Sequence, residues 1–344
     1  MKKTNTKKSK YNVAVVGVGA VGVEMLRVLR QRNFPVWQLK VFARSARNIE
    51  VDGQTYAVEP ISPEGFNGID FALFAGTEGE KGAAVTYAEE AVRRGAVVID
   101  NGADFRMRKD VPLVVPEVNP ADAKKHKGII ANPNCSTIQM VVALAPIQKK
   151  AGIKRVIVTT LQASSGAGKS AVEQLNEEVS KVCAGNFLSV HVEASRSMPQ
   201  QLGYNVFPQI GGFADDDYTS EEWKLVKETH KIMHDDKMAV SATTVRVPVR
   251  TGHSEAVYIE TKKPVTPDAV RRLLAKSPGI IVIDDTKKGL YPMPKDAEGR
   301  DETFVGRIRR DPFVKNGLWL WVVADNLRKG AATNAVQIAE LLIK

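Results

Sequence analysis

Asn12-Val-Ala-Val-Val16 runs directly into Gly17-Val-Gly19-Ala-Val-Gly22 and then into Glu24-Met-Leu-Arg-Val-Leu-Arg30. No other stretch constrains the fold as tightly. The apolar, valine-rich run reads as a strand buried on both faces, the kind found in parallel sheets. The apolar positions after it recur at helical spacing. The glycines therefore form G-x-G-x-x-G after a strand and at the opening of a helix. In that context the backbone can approach a pyrophosphate, which then rests on the helix N-terminus. The motif predicts a Rossmann-like dinucleotide-binding domain touched through Gly17, Gly19, Ala20, Val21 and Gly22. A tight turn with no ligand is the structural alternative.

The next strand, Gln38 to Ala43, should end near the adenosine ribose, where an NAD site places an acid. Here the chain reads Ala43-Arg44-Ser45-Ala46-Arg47. Arginine suits a 2′-phosphate through charge-assisted hydrogen bonds, so NADP is expected over NAD, with Arg44 and Ser45 as contacts. Two arginines on a solvated loop are the alternative. Alternation continues with a strand at Asp70–Phe74, a helix at Lys81–Arg94 and a strand at Ala96–Asp100, a doubly wound pattern. Short extended runs near Leu113 and Ile129 follow.

Composition narrows the partners. The 344 residues carry a formal charge of +10, and five of those charges are Lys2, Lys3, Lys7, Lys8 and Lys10 in an acid-free start. Residues 1–10 are expected to be a disordered basic tail. A nucleic-acid arm is disfavoured because no aromatic residue interleaves with the lysines. A signal peptide is disfavoured because three spaced glycines interrupt the apolar run that follows. No apolar run approaches the ~18 residues of a membrane span. Two cysteines, Cys135 and Cys183, are too few for a disulfide scaffold and fit a reducing cytoplasm.

Asn132-Pro-Asn-Cys-Ser-Thr-Ile-Gln139 precedes Met140-Val-Val-Ala-Leu144, a buried-helix pattern. Ser136 with Gln139 fits a capping box, and Asn134 competes as N-cap. Either way Cys135 stands at a helix N-terminus, where the dipole and free N–H groups favour a thiolate. A buried small hydrophobe is the plain alternative.

Five blocks in one order resemble the bacterial-type aspartate-semialdehyde dehydrogenases. They are Val114-Val-Pro-Glu-Val-Asn119, Asn132–Gln139, Gln162-Ala-Ser-Ser-Gly-Ala-Gly168, Arg246-Val-Pro-Val-Arg-Thr-Gly-His253-Ser-Glu255 and Thr303-Phe-Val-Gly-Arg-Ile-Arg309. The resemblance runs from Tyr11 to the C-terminus. It implies reversible, NADPH-dependent reduction of L-4-aspartyl phosphate to L-aspartate 4-semialdehyde and phosphate, in lysine, methionine and threonine synthesis. Cys135 is then the nucleophile, His253 the acid–base group and Gln162 the residue that positions the substrate. Arg246 matches the carboxylate-binding arginine, for which a planar bidentate fork is suited. Glu221 is expected to hold the α-ammonium, with Asn134 also on the substrate side. Lys224 and Arg106 are expected to serve the phosphate. Ser165, Gly166 and Asn326 are expected near the cofactor. Without the resemblance, Arg246 and His253 read as exposed strand residues, and Glu221 with Lys224 as a surface i,i+3 pair.

Two patterns are decoys. Ser164–Ser170 ends like a phosphate-binding loop, but Ala163 stands where that motif needs glycine. His230-x-x-x-His234 has metal-ligand spacing, yet its helix is polar and position 231 lacks the glutamate. Two departures from the family matter more. The glycine loop is one residue short, which removes a side-chain hydroxyl, and Arg47 stands where glycine is usual.

The expected fold is α/β: a Rossmann-like domain at 11–134, completed by the C-terminal helix within 325–344, and an α+β catalytic and dimerisation domain at 135–324. The second domain should resemble that of glyceraldehyde-3-phosphate dehydrogenases. Its expected strands are Arg155–Leu161, Met238–Val249, Glu255–Thr261, Ile280–Asp284, Thr303–Arg309 and Leu318–Val323. Its expected helices are Ser170–Val182, Ser220–His234 and Pro267–Ala275, with a final helix at Ala331–Ile343. The family implies a homodimer, with a tetramer as the larger alternative, and no membrane partner. Two rival functions are N-acetyl-γ-glutamyl-phosphate reductase, which shares a motif like Asp104-Phe-Arg106, and a noncatalytic paralog acting as an interaction protein. The Asn134-Cys135-Ser136 block and the retained Cys135, Gln162, Arg246 and His253 argue against them.

Overall fold

The structure, a computed structural model, describes residues 8–76, 82–185 and 198–343. Lys2, Lys3 and Lys7 of the expected tail, and the expected helix start at Lys81, lie outside the described residues. The backbone divides into two compact units. One takes the chain up to Val114, Ala121–Asn132 and the stretch from Ala335 onward. The other takes Val115–Pro120 and Pro133–Asn334.

The first unit is built on seven strands: β1 (Tyr11–Val16), β2 (Val36–Ala43), β3 (Arg47–Val51), β4 (Gln54–Pro60), β5 (Phe71–Phe74), β6 (Val97–Asp100) and β7 (Ile129–Ala131). Their order is β3-β4-β2-β1-β5-β6-β7, parallel throughout except for β3 against β4. Val13 to Val16 are buried on both faces, as an interior parallel strand requires. The chain leaves β1 toward β2 on one side and later returns to β5 on the other. The carboxyl end of β1 is therefore the topological switch point, and the Gly17–Gly22 loop sits there. Helices α1 (Ala20–Gln31) and α2 (Ala83–Arg93) make crossovers. Met25, Leu26, Val28 and Leu29 form the buried face of α1.

The β3–β4 hairpin is absent from the sequence reading, which treated Arg47 as part of a loop. Asp52 (φ 48°) and Gly53 (φ 76°) close it as a two-residue turn. An Asp-Gly pair with left-handed backbone is a strong hairpin signal, and Tyr56 and Val58 alternate inward behind it. Strand β3 takes the place of a helical crossover between β2 and β4, which pairs parallel with it.

The second unit carries a mixed sheet of β8 (Ile153–Gln162), β9 (Ala239–Arg246), β10 (His253–Thr261), β11 (Ile280–Val282), β12 (Thr303–Arg310) and β13 (Gly317–Ala324), in the order β11-β12-β13-β10-β8-β9. Its helices are α3 (Cys135–Ala151), α4 (Lys169–Cys183), α5 (Ser220–Met233), α6 (Pro267–Leu274) and α7 (Pro294–Ala297). The expected strand to Val249 stops at Arg246, because Pro248 can donate no ladder hydrogen bond. The expected helix at Ala331 begins instead with a wide π-type turn at Arg328–Ala332, followed by α8 (Thr333–Ile343). Within the first unit, Arg32 on the turn after α1 clamps Glu340 of α8 through Nε–Oε1 and Nη2–Oε2 pairs, both 2.8 Å. No helix among the described residues is long and apolar enough to cross a membrane.

Candidate active site

Strands β8 and β9 run parallel and end in register, with Gln162 opposite Arg246. Strand β10 runs the other way and starts at His253, so all three side chains gather at one end of the sheet. The first turn of α3 brings Cys135 to this cluster, and the first turn of α5 brings Glu221. The alternative of exposed strand residues for Arg246 and His253 does not hold, since they are 4% and 0% exposed.

Asn134 resolves the two capping alternatives. Its Oδ1 accepts from the Ser136 and Thr137 N–H groups at 3.0 and 3.3 Å, which makes it the N-cap of α3. Gln139 is not free to close a Ser136 box, because its Nε2 points to the His253 carbonyl at 3.4 Å. The cap is itself held from α5. Glu228 Oε2 accepts the Asn134 N–H at 2.7 Å, and Glu221 Oε1 accepts Asn134 Nδ2 at 2.8 Å. Glu221 Oε1 also accepts Gln162 Nε2 at 3.1 Å, while Thr160 Oγ1 donates to Gln162 Oε1 at 2.9 Å. Lys224 Nζ lies 3.4 Å from Glu221 Oε2. The i,i+3 pair therefore exists, but its carboxylate is buried among site residues rather than solvated.

Arg246 Nη1 donates to the Ala163 carbonyl at 2.6 Å, and its Nε has no partner among the described residues. Burial lowers the guanidinium's pKa against the opposing pull of Glu221 and Cys135. His253 Nδ1 accepts the Ala163 N–H at 3.1 Å. A ring nitrogen that accepts carries no proton, so in the neutral imidazole the proton is assigned to Nε2. Burial, reinforced by the Arg246 charge, holds the imidazole well below its ordinary range. Nε2 is buried and unpartnered among the described residues, a free donor. Gly166 packs on this ring: a Cβ there would stand 3.1 Å from His253 Nε2 and 3.3 Å from Arg246 Nη1. Ser165 Oγ receives Asn326 Nδ2 at 3.0 Å, and Asn326 Oδ1 accepts the Gly252 N–H at 2.9 Å, just before His253.

Four residues of this cluster escaped the sequence reading. Glu228 sits on a polar helix, and Gln139 reads as a cap. Glu255 reads as an ordinary strand position. Gly330 is visible only from its packing, since a Cβ there would stand 2.9 Å from Cys135 Cβ. The helical spacing of Glu221 to Glu228, two turns on one face, was the one available signal.

The remaining expected contacts lie in the first unit. Gly17 has φ 98° and closes the turn, and a Cβ on Gly22 would stand 1.9 Å from the Gly17 carbonyl oxygen. Both glycines are thus demanded by the fold. Gly19 is different: a Cβ there would meet nothing within 4 Å, and Gly19 caps α1 without a side-chain hydrogen bond. The bare backbone of Gly19, Ala20 and Val21 fits an incoming pyrophosphate. Arg44 and Ser45 are exposed beyond β2, and Arg47 Nη1 holds Ser45 Oγ at 3.2 Å. Arg106 is buried, donating from Nε to the Asn132 carbonyl at 2.9 Å and from Nη2 to that of Asn101 at 2.6 Å.

The decoys have local explanations. Lys169 Nζ faces Glu173 at 3.6 Å on an exposed turn. His230 Nε2 contacts the Met238 carbonyl at 2.8 Å, and His234 ends α5 in a left-handed cap. No cluster of three or more His, Cys, Asp or Glu side chains that could hold a metal occurs among the described residues.

Residues 12–126 match the family described as semialdehyde dehydrogenase, NAD binding domain, and residues 144–329 match semialdehyde dehydrogenase, dimerisation domain. An aspartate-semialdehyde dehydrogenase of Aquifex aeolicus is 53% identical, over 97% of this chain and 98% of the relative. One of Bacillus subtilis is 48% identical, over 97% of each. The crystal structure of aspartate semialdehyde dehydrogenase II from Vibrio cholerae complexed with ASA superposes with a TM-score of 0.91 at 44% identity, covering 98% of this chain and 99% of that one. The Candida albicans enzyme with NADP gives 0.72 at 27% identity, covering 97% and 98%.

Proposed function

We propose, since the chain belongs to the aspartate-semialdehyde dehydrogenase family, that it interconverts L-4-aspartyl phosphate and L-aspartate 4-semialdehyde plus phosphate with NADP(H). The observation that carries the chemistry is Cys135 at the first residue of α3, its cap pinned by Glu221 and Glu228, in one cluster with Arg246 and His253. In the reducing direction Cys135 Sγ attacks the acyl carbon of aspartyl phosphate. Phosphate leaves with the electrons of the C–O bond, and a thioester forms on Cys135. The chemistry a bound nicotinamide dinucleotide supplies is hydride, delivered to the thioester carbon. His253 Nε2–H donates to the oxygen on which negative charge then collects, as an oxyanion donor does. Collapse of that oxyanion expels Cys135 Sγ and releases the aldehyde. The neutral tautomer narrows the expected acid–base role of His253 to donation from Nε2, since full proton loss would leave an imidazolate.

Arg246 binds the substrate α-carboxylate and Glu221 the α-ammonium. Lys224 and Arg106 serve the phosphate, and Gln162 with Asn134 orients the acyl group. On the cofactor side the contacts are Gly17, Gly19, Ala20, Val21, Gly22, Arg44, Ser45, Ser165, Gly166 and Asn326. The absence of an acid beyond β2, with Arg44 and Arg47 there instead, supports NADP over NAD. The dinucleotide-binding part comprises 11–134 with the C-terminal helix, and the catalytic part 135–324. A homodimer forms through the outer face of the second sheet, where Ile157, Tyr258 and Trp319 stand side by side with Ile157 exposed. The enzyme works in the cytoplasm, in lysine, methionine and threonine synthesis.

Purified protein given aspartate semialdehyde, phosphate and NADP should form NADPH, and more slowly form NADH from NAD. Cys135→Ser should abolish turnover with an unchanged melting temperature. Full activity in that variant, or activity only with the acetylated glutamyl substrate, refutes the assignment.

A further inference from the structure

Glu255 is fully buried, and neither of its carboxyl oxygens has a hydrogen-bond partner among the described residues. It lies on β10 two residues beyond His253, so the two share a face of the sheet. Its register partners are Thr160 on β8 and Val322 on β13. The polar side chain acting on it from α3 is Gln139, one turn beyond Cys135 on the same helix. Gln139 Nε2 in turn reaches the His253 carbonyl, and Gln139 Oε1 is buried without a partner among the described residues. The neighbours so placed beside Glu255 are an alcohol, an aliphatic chain and an amide, and among the described residues no cation is among the groups that act on it.

A carboxylate is disfavoured in such a place, because the single amide beside it offsets only the smaller part of its desolvation. Burial accordingly pushes the Glu255 carboxyl well above the carboxylate range, against the smaller effect of Gln139. A neutral carboxyl offers both an O–H and an acceptor. It can pair with a carboxamide in both directions and satisfy the stranded Gln139 Oε1 as well.

We infer that Glu255 is a positioning residue that acts as an uncharged acid: paired with Gln139, it fixes the register between α3 and β10 and so sets Cys135 against His253. The inference concerns the same site as the proposed reaction and rests on that reading for its kinetic consequence, but not for its geometric one. Glu255 touches no reacting atom and acts only through Gln139 and the strand that begins at His253.

Three variants test it: Glu255→Gln, Glu255→Leu and Gln139→Leu. Each is measured for kcat, KM, the rate of Cys135 alkylation by iodoacetamide, and melting temperature across pH. A carboxamide reproduces a neutral carboxyl, so Glu255→Gln should keep kcat and the alkylation rate, and should lack the alkaline loss of both that ionisation of Glu255 is expected to cause in the native protein. Glu255→Leu fills the space but strands Gln139, and should lower kcat and slow alkylation roughly ten- to hundred-fold with little change in KM. Gln139→Leu should do the same, and the two leucine changes together should cost no more than one. The inference is overturned if Glu255→Leu keeps native kcat and alkylation, or if Glu255→Gln is as impaired as Glu255→Leu. Should Glu255→Leu fail to fold, Gln139→Leu and the pH profile of Glu255→Gln still decide the matter. Alkylation needs no substrate, so it reads the geometry even if the proposed reaction is wrong.

Discussion

Gly330→Ala isolates how tightly the nucleophile is held. The added Cβ would stand 2.9 Å from Cys135 Cβ, 3.3 Å from Cys135 Cα and 3.5 Å from the Asp325 carbonyl oxygen. Carbon pairs prefer about 3.5–4.0 Å, so something must retreat by roughly 0.5–1 Å. The Arg328–Ala332 turn is poorly placed to give way. Asp325 Oδ1 accepts the Leu327 and Arg328 N–H groups at 2.8 and 3.2 Å. Arg328 Nε pairs with Asp301 at 2.9 Å, and fully buried Lys329 meets Glu117 at 2.6 Å. The strain should therefore fall on Cys135. Overpacking of this kind costs about 1–3 kcal/mol, and a displacement near 1 Å at a reacting atom costs about a hundredfold in rate. We expect kcat to fall ten- to hundred-fold, roughly, with KM for NADP unchanged. Alkylation of Cys135 should slow in parallel, and the melting temperature should drop by a few degrees. Native kcat and native alkylation in a folded Gly330→Ala protein would refute the argument, because they would mean that the turn yields freely.

Other glycines should separate fold from ligand. Gly22→Ala should fail to fold or lose much of its stability, whereas Gly19→Ala should melt normally and raise the KM for NADP; thermal melts and cofactor titrations distinguish them. Glu221→Ala strands the Asn134 and Gln162 amides, at about 1–3 kcal/mol for each unsatisfied buried donor, and should raise substrate KM and lower kcat together in steady-state assays. The folded protein keeps His253 neutral, while the unfolded chain protonates it below the ordinary value of 6.5. On this account the unfolded state gains a proton that folded His253 does not, which weakens the fold as pH drops below that value, so His253→Asn should lose less stability, or gain more, than the native protein between about pH 7 and about pH 5 in urea midpoints. An equal slope in the variant would contradict the assignment.

Much of this molecule was legible where the physical cause is local. The β1–glycine loop–α1 unit follows from a valine-rich run and three spaced glycines. Cys135 stands at a helix start because Asn134 is a capping residue and the sequence after it is apolar. Catalytic candidates such as Arg246 and His253 were legible through a motif, although their strand pattern alone pointed to exposed positions. The β3–β4 hairpin has its own local signal in Asp52-Gly53, but its two strands lie where the residues after β2 also fit a cofactor-facing loop.

What the chain's order could not disclose is whatever depends on contacts between distant segments. Glu228 meets the Asn134 N–H across 94 positions, and Gln139 meets the His253 carbonyl across 114. The proton on His253 Nε2 depends on a backbone N–H from a different strand's end. The upward pull on the Glu255 carboxyl comes from its burial in the assembled unit. Local propensity and periodicity report what a residue prefers beside its neighbours in sequence. Burial, register and protonation are set by which groups share a low-dielectric space, and only the assembled sheet and its helices determine that.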